Sequence, residues 1–480
     1  IKPRFSLTNA VFDGGLSHAR WLSLAIVMSS ANLITGCDEL KRINELPIAR
    51  GYSAKQLCSF TFNSDLDPVF VKKEFIAPDV SIFPLIWKID LDREQQRVTV
   101  GDIIFLNESL KVKTIYREGM GCTVLVDKTP EEVIDQAIVP LEAPELDQDK
   151  PWPDGVMGGS DDLLPGLDYE QLDTAVAHAF VEDRETAKNT TSLLVAYNGQ
   201  LIAEQYALGV TADSPVIGWS MTKTITSTLI GILVDQGRLD VHQEAPIPGW
   251  EYSEKASITI DNLMHMASGL DYSEGSSKLS DSTRMLYLES DQSAYMANRE
   301  LANEPGTIFN YSTGETNLLA KIVQDSVGGK AQDAYDFFQT ELFHKVGIRS
   351  AFIEYDESGQ FVGGAYGFMN PQDWLRMGQL YLQQGRWNGE QVISEAWIDY
   401  ITTPSTVNPT YGGQIWLNTN KEYFQGFDIP EDTYLFAGYH GQTVVIVPSR
   451  DLVVVRTGVY SSLDNSIIGE LVADIINALP

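Results

Sequence analysis

Ser220 stands three residues ahead of Lys223 in Gly218-Trp219-Ser220-Met221-Thr222-Lys223-Thr224, and this is the pair whose types and spacing could do chemistry. Met221, Ile225, Leu229, Ile232 and Leu233 recur at helical spacing, predicting a helix over 220–236 with Gly237 as its C-terminal cap. Residues i and i+3 share a helix face, so both side chains point at one space. A serine hydroxyl becomes a nucleophile when a neighbour takes its proton, and a lysine can do so once burial drives its pKa down. The helix N-terminus adds partial positive charge and free N–H groups beside the oxygen. A capped amphipathic helix with a surface lysine has the same spacing, and a chain of this length holds about one such pair by chance. The rest of the chain must decide.

The elements that would position the pair come from both ends of one region. Asp168 is placed to cap a helix, and strands over 191–196 and 201–206 flank Asn198-Gly199, a strong short hairpin signal. Near the C-terminus, apolar runs over 442–448 and 452–457 surround a Pro448-Ser449-Arg450-Asp451 turn, and a last helix is expected over 462–479. Early and late strands therefore bracket a long mixed stretch, 240–420. The expected fold is α+β: one antiparallel sheet flanked by helices, a helical part beside it, and a cleft between them. Upstream, alternation over 86–91, 97–100 and 110–116 predicts short strands in a β-rich accessory segment, 37–127. Residues 128–166 are acidic and proline-rich, which marks a linker or an extended strap over the domain that follows at 167–480.

Composition excludes several functions. The 34 basic and 66 acidic residues give a net charge of -32, which repels nucleic acid and anionic headgroups. No Cys/His cluster, His-Glu-x-x-His run, acidic calcium loop or Gly-rich phosphate loop occurs, so neither a metal nor another cofactor is expected. No Gly-x-Ser-x-Gly elbow occurs either, which disfavours a Ser-His-Asp hydrolase. His265 lies in an apolar stretch and reads as structural.

Four runs kept in order extend the case: Ser220-Met221-Thr222-Lys223, Leu263-Met264-His265-Met266-Ala267-Ser268-Gly269-Leu270, Glu304-Pro305-Gly306-Thr307-Ile308-Phe309-Asn310-Tyr311-Ser312 and Gly438-Tyr439-His440-Gly441-Gln442. Together they resemble the penicillin-recognising serine hydrolases. The likeness is to the class C β-lactamase-like branch, which also holds esterases, D-amino-acid peptidases and 6-aminohexanoate-dimer hydrolases. The resemblance implies a β-lactamase/transpeptidase-like domain over 167–480. It assigns Ser220 as the acylated nucleophile, Lys223 as its base partner and Tyr311 as the proton shuttle, leaving open which of the last two is the base. The Tyr439-His440-Gly441 triplet takes the place of the family's Lys-Thr-Gly strand. The resemblance puts the N–H groups of Ser220 and Gln442 at the substrate carbonyl as an oxyanion hole, where losing one donor removes about 3 kcal/mol of transition-state stabilisation. His440 and Gly441 would line the substrate. Tyr439 replaces a lysine and Thr313 an asparagine, which argues against efficient β-lactam turnover and for small esters or amides. Tyr272 stands where nylon-oligomer hydrolases place a tyrosine that contacts the substrate amide. β-Lactam or D,D-peptidase activity and a non-catalytic binding lipoprotein are the alternatives.

The apolar run over 21–36 ends at Leu33-Ile34-Thr35-Gly36-Cys37, which resembles a bacterial lipoprotein signal. It implies cleavage after residue 36, acylation of Cys37, and a cell-envelope protein held at the membrane by lipid and facing the periplasm or exterior. Outside the cytoplasm, Cys58 and Cys122 could pair or remain buried thiols.

Overall fold

The computed structural model describes residues 38–80, 87–102, 111–157, 163–181, 189–274, 279–459 and 465–480. The expected leader and Cys37 lie outside them. The chain divides into two units, Ile1–Leu46 and Pro47–Pro480, and the described part of the first is the start of a helix.

That helix, α1 (Asp38–Phe62), occupies the first part of the segment expected to be β-rich and corrects that expectation. Positions 48–60 are all buried, including Arg50, Ser53, Lys55, Gln56 and Ser59, so its polar side chains hide the apolar stripe that would betray a helix. The strands do form: β1 (Trp87–Asp92), β2 (Arg97–Asp102), β3 (Val112–Arg117) and an unexpected β4 (Gly121–Leu125) pair in that order, all antiparallel. Cys58 in α1 and Cys122 in β4 are joined by a disulfide across 64 residues, a loop worth about 4 kcal/mol in the chain-entropy description. Burial lowers the pKa of Lys55, and the neighbouring Glu354 carboxylate, with which it pairs, opposes that shift. Glu354 also accepts from Ser59 Oγ at 2.9 Å, Asn63 Nδ2 at 2.7 Å and the Cys122 N–H at 2.7 Å.

Residues 128–157 run as a strap. Trp152, 2% exposed, donates from Nε1 to the Gln372 carbonyl, and Arg376 donates to the carbonyls of Pro153 and Gly155.

The main sheet uses β5 (Thr190–Tyr197), β6 (Gln200–Tyr206), β7 (Trp416–Leu417), β8 (Tyr434–Gly438), β9 (Gln442–Val447) and β10 (Leu452–Gly458). Its order is β7-β8-β9-β10-β5-β6, with antiparallel neighbours throughout, so the two ends of the domain meet where β10 pairs β5. The Asn198-Gly199 turn has φ of 50° and 72°, the left-handed pair a tight hairpin requires. Strands β9 and β10 are buried at every position because both faces are covered. On one face, Leu172 and Val176 of α2 (Tyr169–Ala179) and Ile475 of the C-terminal helix Ser466–Ala478 join Val195, Val445 and Val454 in one apolar cluster. Helix α2 starts at the expected cap, Asp168, whose carboxylate accepts from the Gln171 N–H.

On the other face lies the helix Pro371–Leu382, where a Cβ on Gly378 would come within 2.6 Å of Val453 and Val444 methyl groups. Beside the sheet, α3 (Thr222–Asp235) packs on α4 (Thr313–Val327). Helix α3 is buried from Thr222 to Leu233 and ends before Gly237, which has φ of 67°.

Candidate active site

Ser220 sits in the tight turn Trp219–Met221 that feeds α3. Trp219 has φ of 48°, and holding a bulky residue in that region costs about 1–3 kcal/mol. The surroundings fix it there. The Gly218 N–H donates to the Gly367 carbonyl at 2.8 Å, the Thr222 hydroxyl to the Trp219 carbonyl at 2.6 Å, and the Gly367 N–H to Thr222 Oγ1 at 2.8 Å. The Trp219 ring packs against Tyr366, Tyr439 and His440, leaving Ser220 half-buried at the start of α3.

One turn on, Lys223 is 1% exposed, with Nζ 3.1 Å from Ser220 Oγ, 2.9 Å from Thr313 Oγ1 and 2.8 Å from the Gly364 carbonyl. Burial lowers its pKa to about 8, and Glu274 opposes that shift. At this value about a tenth of the amine is neutral at pH 7, and the neutral form can accept the serine proton. Thr313 is buried at the head of α4. It donates from Oγ1 to Glu274 Oε1 at 2.5 Å and from its N–H to Oε2 at 2.8 Å, so it links Lys223 to a carboxylate.

Tyr311 stacks on Trp416 with ring centroids 5.5 Å apart, and Lys223 Nζ lies 4.9 Å from its ring centre. Burial pushes the phenol far above its ordinary pKa; Glu274 reinforces this and a hydrogen bond with Ser220 opposes it. Burial therefore favours the protonated form of Tyr311, while the Lys223 amine lies within hydrogen-bond distance of Ser220 Oγ.

The Tyr439-His440-Gly441 triplet, expected in a strand, forms the tight turn joining β8 to β9. Its departure from strand geometry is visible at His440 and Gly441, with φ of 64° and 72°. Arg456 holds the turn by donating to the carbonyls of His440 and Gly441, each at 2.9 Å. A Cβ on Gly438 would lie 2.1 Å from the Gly218 carbonyl oxygen, so glycine lets the strand end touch the nucleophile turn. The Gln442 side chain brackets Gly458, donating to its carbonyl and accepting from its N–H, and its backbone is what it can offer the cleft. Tyr439 is 41% exposed and His440 4%.

Ser220, Lys223, Tyr311 and Thr313 thus form one contact group, with the triplet packed on Trp219. Tyr272 is buried with its ring beside Gly314, and its carbonyl accepts from Asn310 Nδ2 at 2.8 Å. His265 turns back on Asp261 of its own helix, with Nδ1 3.2 Å from Oδ1, and packs on Tyr400. Glu274 was missed by sequence reasoning. It lies two residues past Tyr272, but its partner Thr313 is 39 residues away and no spacing rule connects them. Among the described residues, His178, Glu470 and Asp474 bring ligand atoms within 4.8 Å of one another, and none of them belongs to this contact group.

The family model for beta-lactamase matches residues 176–459, more than half of the chain. A 6-aminohexanoate-dimer hydrolase of Paenarthrobacter ureafaciens is 24% identical over 341 residues, covering 63% of this chain and 81% of that protein. A family VIII carboxylesterase structure superposes with a TM-score of 0.53 at 15% identity, covering 67% of this chain and 99% of its own. A penicillin-binding protein homologue from Caulobacter crescentus gives 0.53 at 14% identity, covering 68% and 99%. By the extent of the family match, joined to the shared α+β architecture, the chain belongs to the beta-lactamase family.

Proposed function

We propose that this protein is a serine hydrolase that cleaves small esters or amides, including amides of the 6-aminohexanoate-oligomer type, through an acyl-enzyme on Ser220. One observation carries the reading: the Lys223 amine, with its pKa lowered to about 8, lies 3.1 Å from Ser220 Oγ. Lys223 takes the serine proton as Oγ attacks the carbonyl carbon. The oxyanion is held by the N–H groups of Ser220 and Gln442, at the positive end of α3. Tyr311, kept protonated, passes a proton to the departing alcohol or amine, and water then attacks the acyl-enzyme with the same groups in reversed roles. The shared Bronsted partners titrate as a coupled set, so the pH profile reports the group.

The test is turnover of p-nitrophenyl butyrate by the full chain and by Ser220→Ala, with a penicillin offered in parallel. Ester hydrolysis lost in the variant, without penicillin hydrolysis, supports the reading. A penicilloyl adduct on Ser220 favours the wall-substrate alternative, and no turnover of any substrate by a folded protein favours the non-catalytic binder. We also propose that Cys37 is acylated and holds the protein in the bacterial envelope. The motif Leu33-Ile34-Thr35-Gly36-Cys37 supports this, and incorporation of labelled palmitate that is lost in Cys37→Ser tests it.

A further inference from the structure

Lys223 Nζ lies against three oxygens: Ser220 Oγ at 3.1 Å, Thr313 Oγ1 at 2.9 Å and the Gly364 carbonyl at 2.8 Å. An ammonium uses all three, one for each N–H group. A neutral amine keeps two N–H groups and a lone pair, so one neighbour must give it a proton instead. Which neighbour gives decides whether the amine can act as a base on the serine.

The Gly364 carbonyl can only accept. It is fixed in place, since the Gly364 N–H donates to Asn317 Oδ1 at 3.0 Å and a Cβ at this glycine would lie 2.7 Å from the Thr313 carbonyl oxygen. Thr313 has one hydroxyl proton, and Glu274 takes it: Oγ1 donates to Oε1 at 2.5 Å. The carboxylate is held in turn by the Thr313 N–H, which meets Oε2 at 2.8 Å, and by the Ser282 hydroxyl at 3.4 Å. That N–H is one of the donors at the start of α4 with no acceptor inside the helix, a place that favours a carboxylate. Both Thr313 protons are thus spent on Glu274, and Oγ1 turns a lone pair to Lys223. Of the three neighbours, Ser220 is the one with a proton left to give.

We propose that Glu274 is a positioning residue of the hydrolase: by holding the Thr313 hydroxyl proton, it directs the lone pair of the neutral Lys223 amine at the Ser220 hydroxyl. The inference rests on the serine hydrolase reading for the reaction it serves. As the Ser220 O–H bond breaks, the proton becomes the third N–H of Lys223, and the new ammonium finds Thr313 Oγ1 and the Gly364 carbonyl already accepting. A glutamine at 274 would reverse the order. The Thr313 N–H would claim the amide oxygen, leaving Nε2 to donate to Thr313 Oγ1, and the freed threonine proton would cap the lysine lone pair.

The experiment compares the pH profile of kcat/KM for p-nitrophenyl butyrate in the full chain, Glu274→Gln, Thr313→Val, their combination and Thr313→Ser. Glu274→Gln is expected to lower the high-pH plateau about 10- to 100-fold and to move the inflection downward, because the charge that favours the Lys223 ammonium is lost. In the Thr313→Val background it should change the plateau less than about twofold, and Thr313→Ser, which keeps the hydroxyl, should stay within a few-fold of the parent. A plateau unchanged in Glu274→Gln, even with a shifted inflection, or a loss that multiplies with that of Thr313→Val, would overturn the proposal. Should Glu274→Gln fail to fold, neutron diffraction from the unaltered protein above about pH 9 decides: the Thr313 deuteron should point at Glu274, and one pointing at Lys223 would overturn the proposal. The neutron measurement needs no turnover, so the expected deuteron in a protein that hydrolyses no ester would defeat the hydrolase reading alone.

Discussion

In the proposed reaction Lys223 sets the pH at which the serine is activated. Its pKa of about 8 means that kcat/KM for a neutral ester should rise about tenfold per pH unit below that value and level off above it. Glu274 favours the ammonium form, so Glu274→Gln is expected to move the inflection downward; a profile read by stopped assays across pH would show it. A second buried acid makes the opposite kind of statement. Glu315, 1% exposed in the first turn of α4, is raised to about 8 by burial, against the Ser268 hydrogen bond at 2.7 Å. Its folded pKa lies above the unfolded one, so the stability it confers is fully present below the ordinary carboxyl pKa and is lost as pH rises towards about 8. Glu315→Gln should therefore gain thermal stability relative to the parent as pH increases across that window, and a constant difference in melting temperature would refute this. The contact of Ser220 with Lys223 was legible in their i, i+3 spacing, whereas Tyr311, 91 residues from Ser220, was reached only through the family resemblance. Glu274 was not legible, because its contact with Thr313, 39 residues away, is made only by the fold.

At the scale of elements, the hairpin at Asn198-Gly199, the cap at Asp168 and the paired C-terminal strands were readable, since each depends on a few adjacent residues. Helix α1 was not, because it is buried over 48–60 and the polar residues among those positions, Lys55 and Ser59 bound to Glu354 among them, erase its periodicity. The β8–β9 turn was mistaken for strand: an apolar strand does follow, but His440 in the left-handed region is a property no composition rule marks. This turn has a sharp requirement at its base. Gly438→Ala would drive a methyl into the Gly218 carbonyl and displace the nucleophile turn by a fraction of an ångström to about an ångström, which should lower kcat on the order of 100-fold. Circular dichroism unchanged beside this loss would place the effect at the site, whereas parent-like kcat would show that the contact is not needed.

Across the whole molecule, the upstream segment and the family domain share one buried ionic cluster. Glu354 binds Lys55, Ser59, Asn63 and the backbone of Cys122, while its own strand-side neighbours belong to the domain core. Removing one member of a buried pair leaves an uncompensated charge, so Glu354→Ala should lose about 3–5 kcal/mol in denaturant unfolding. Lys55→Met combined with Glu354→Gln should recover part of it. A loss below about 1 kcal/mol would mean that water reaches the cluster.

Intact-mass spectrometry after treatment with a fluorophosphonate tests most directly whether Ser220 is a nucleophile activated by Lys223. A single phosphonyl adduct mapping to Ser220, formed faster as pH rises towards 8, absent in Ser220→Ala and strongly slowed in Lys223→Met, is the expected result. A folded protein that takes no adduct, or takes it at another residue, would contradict it.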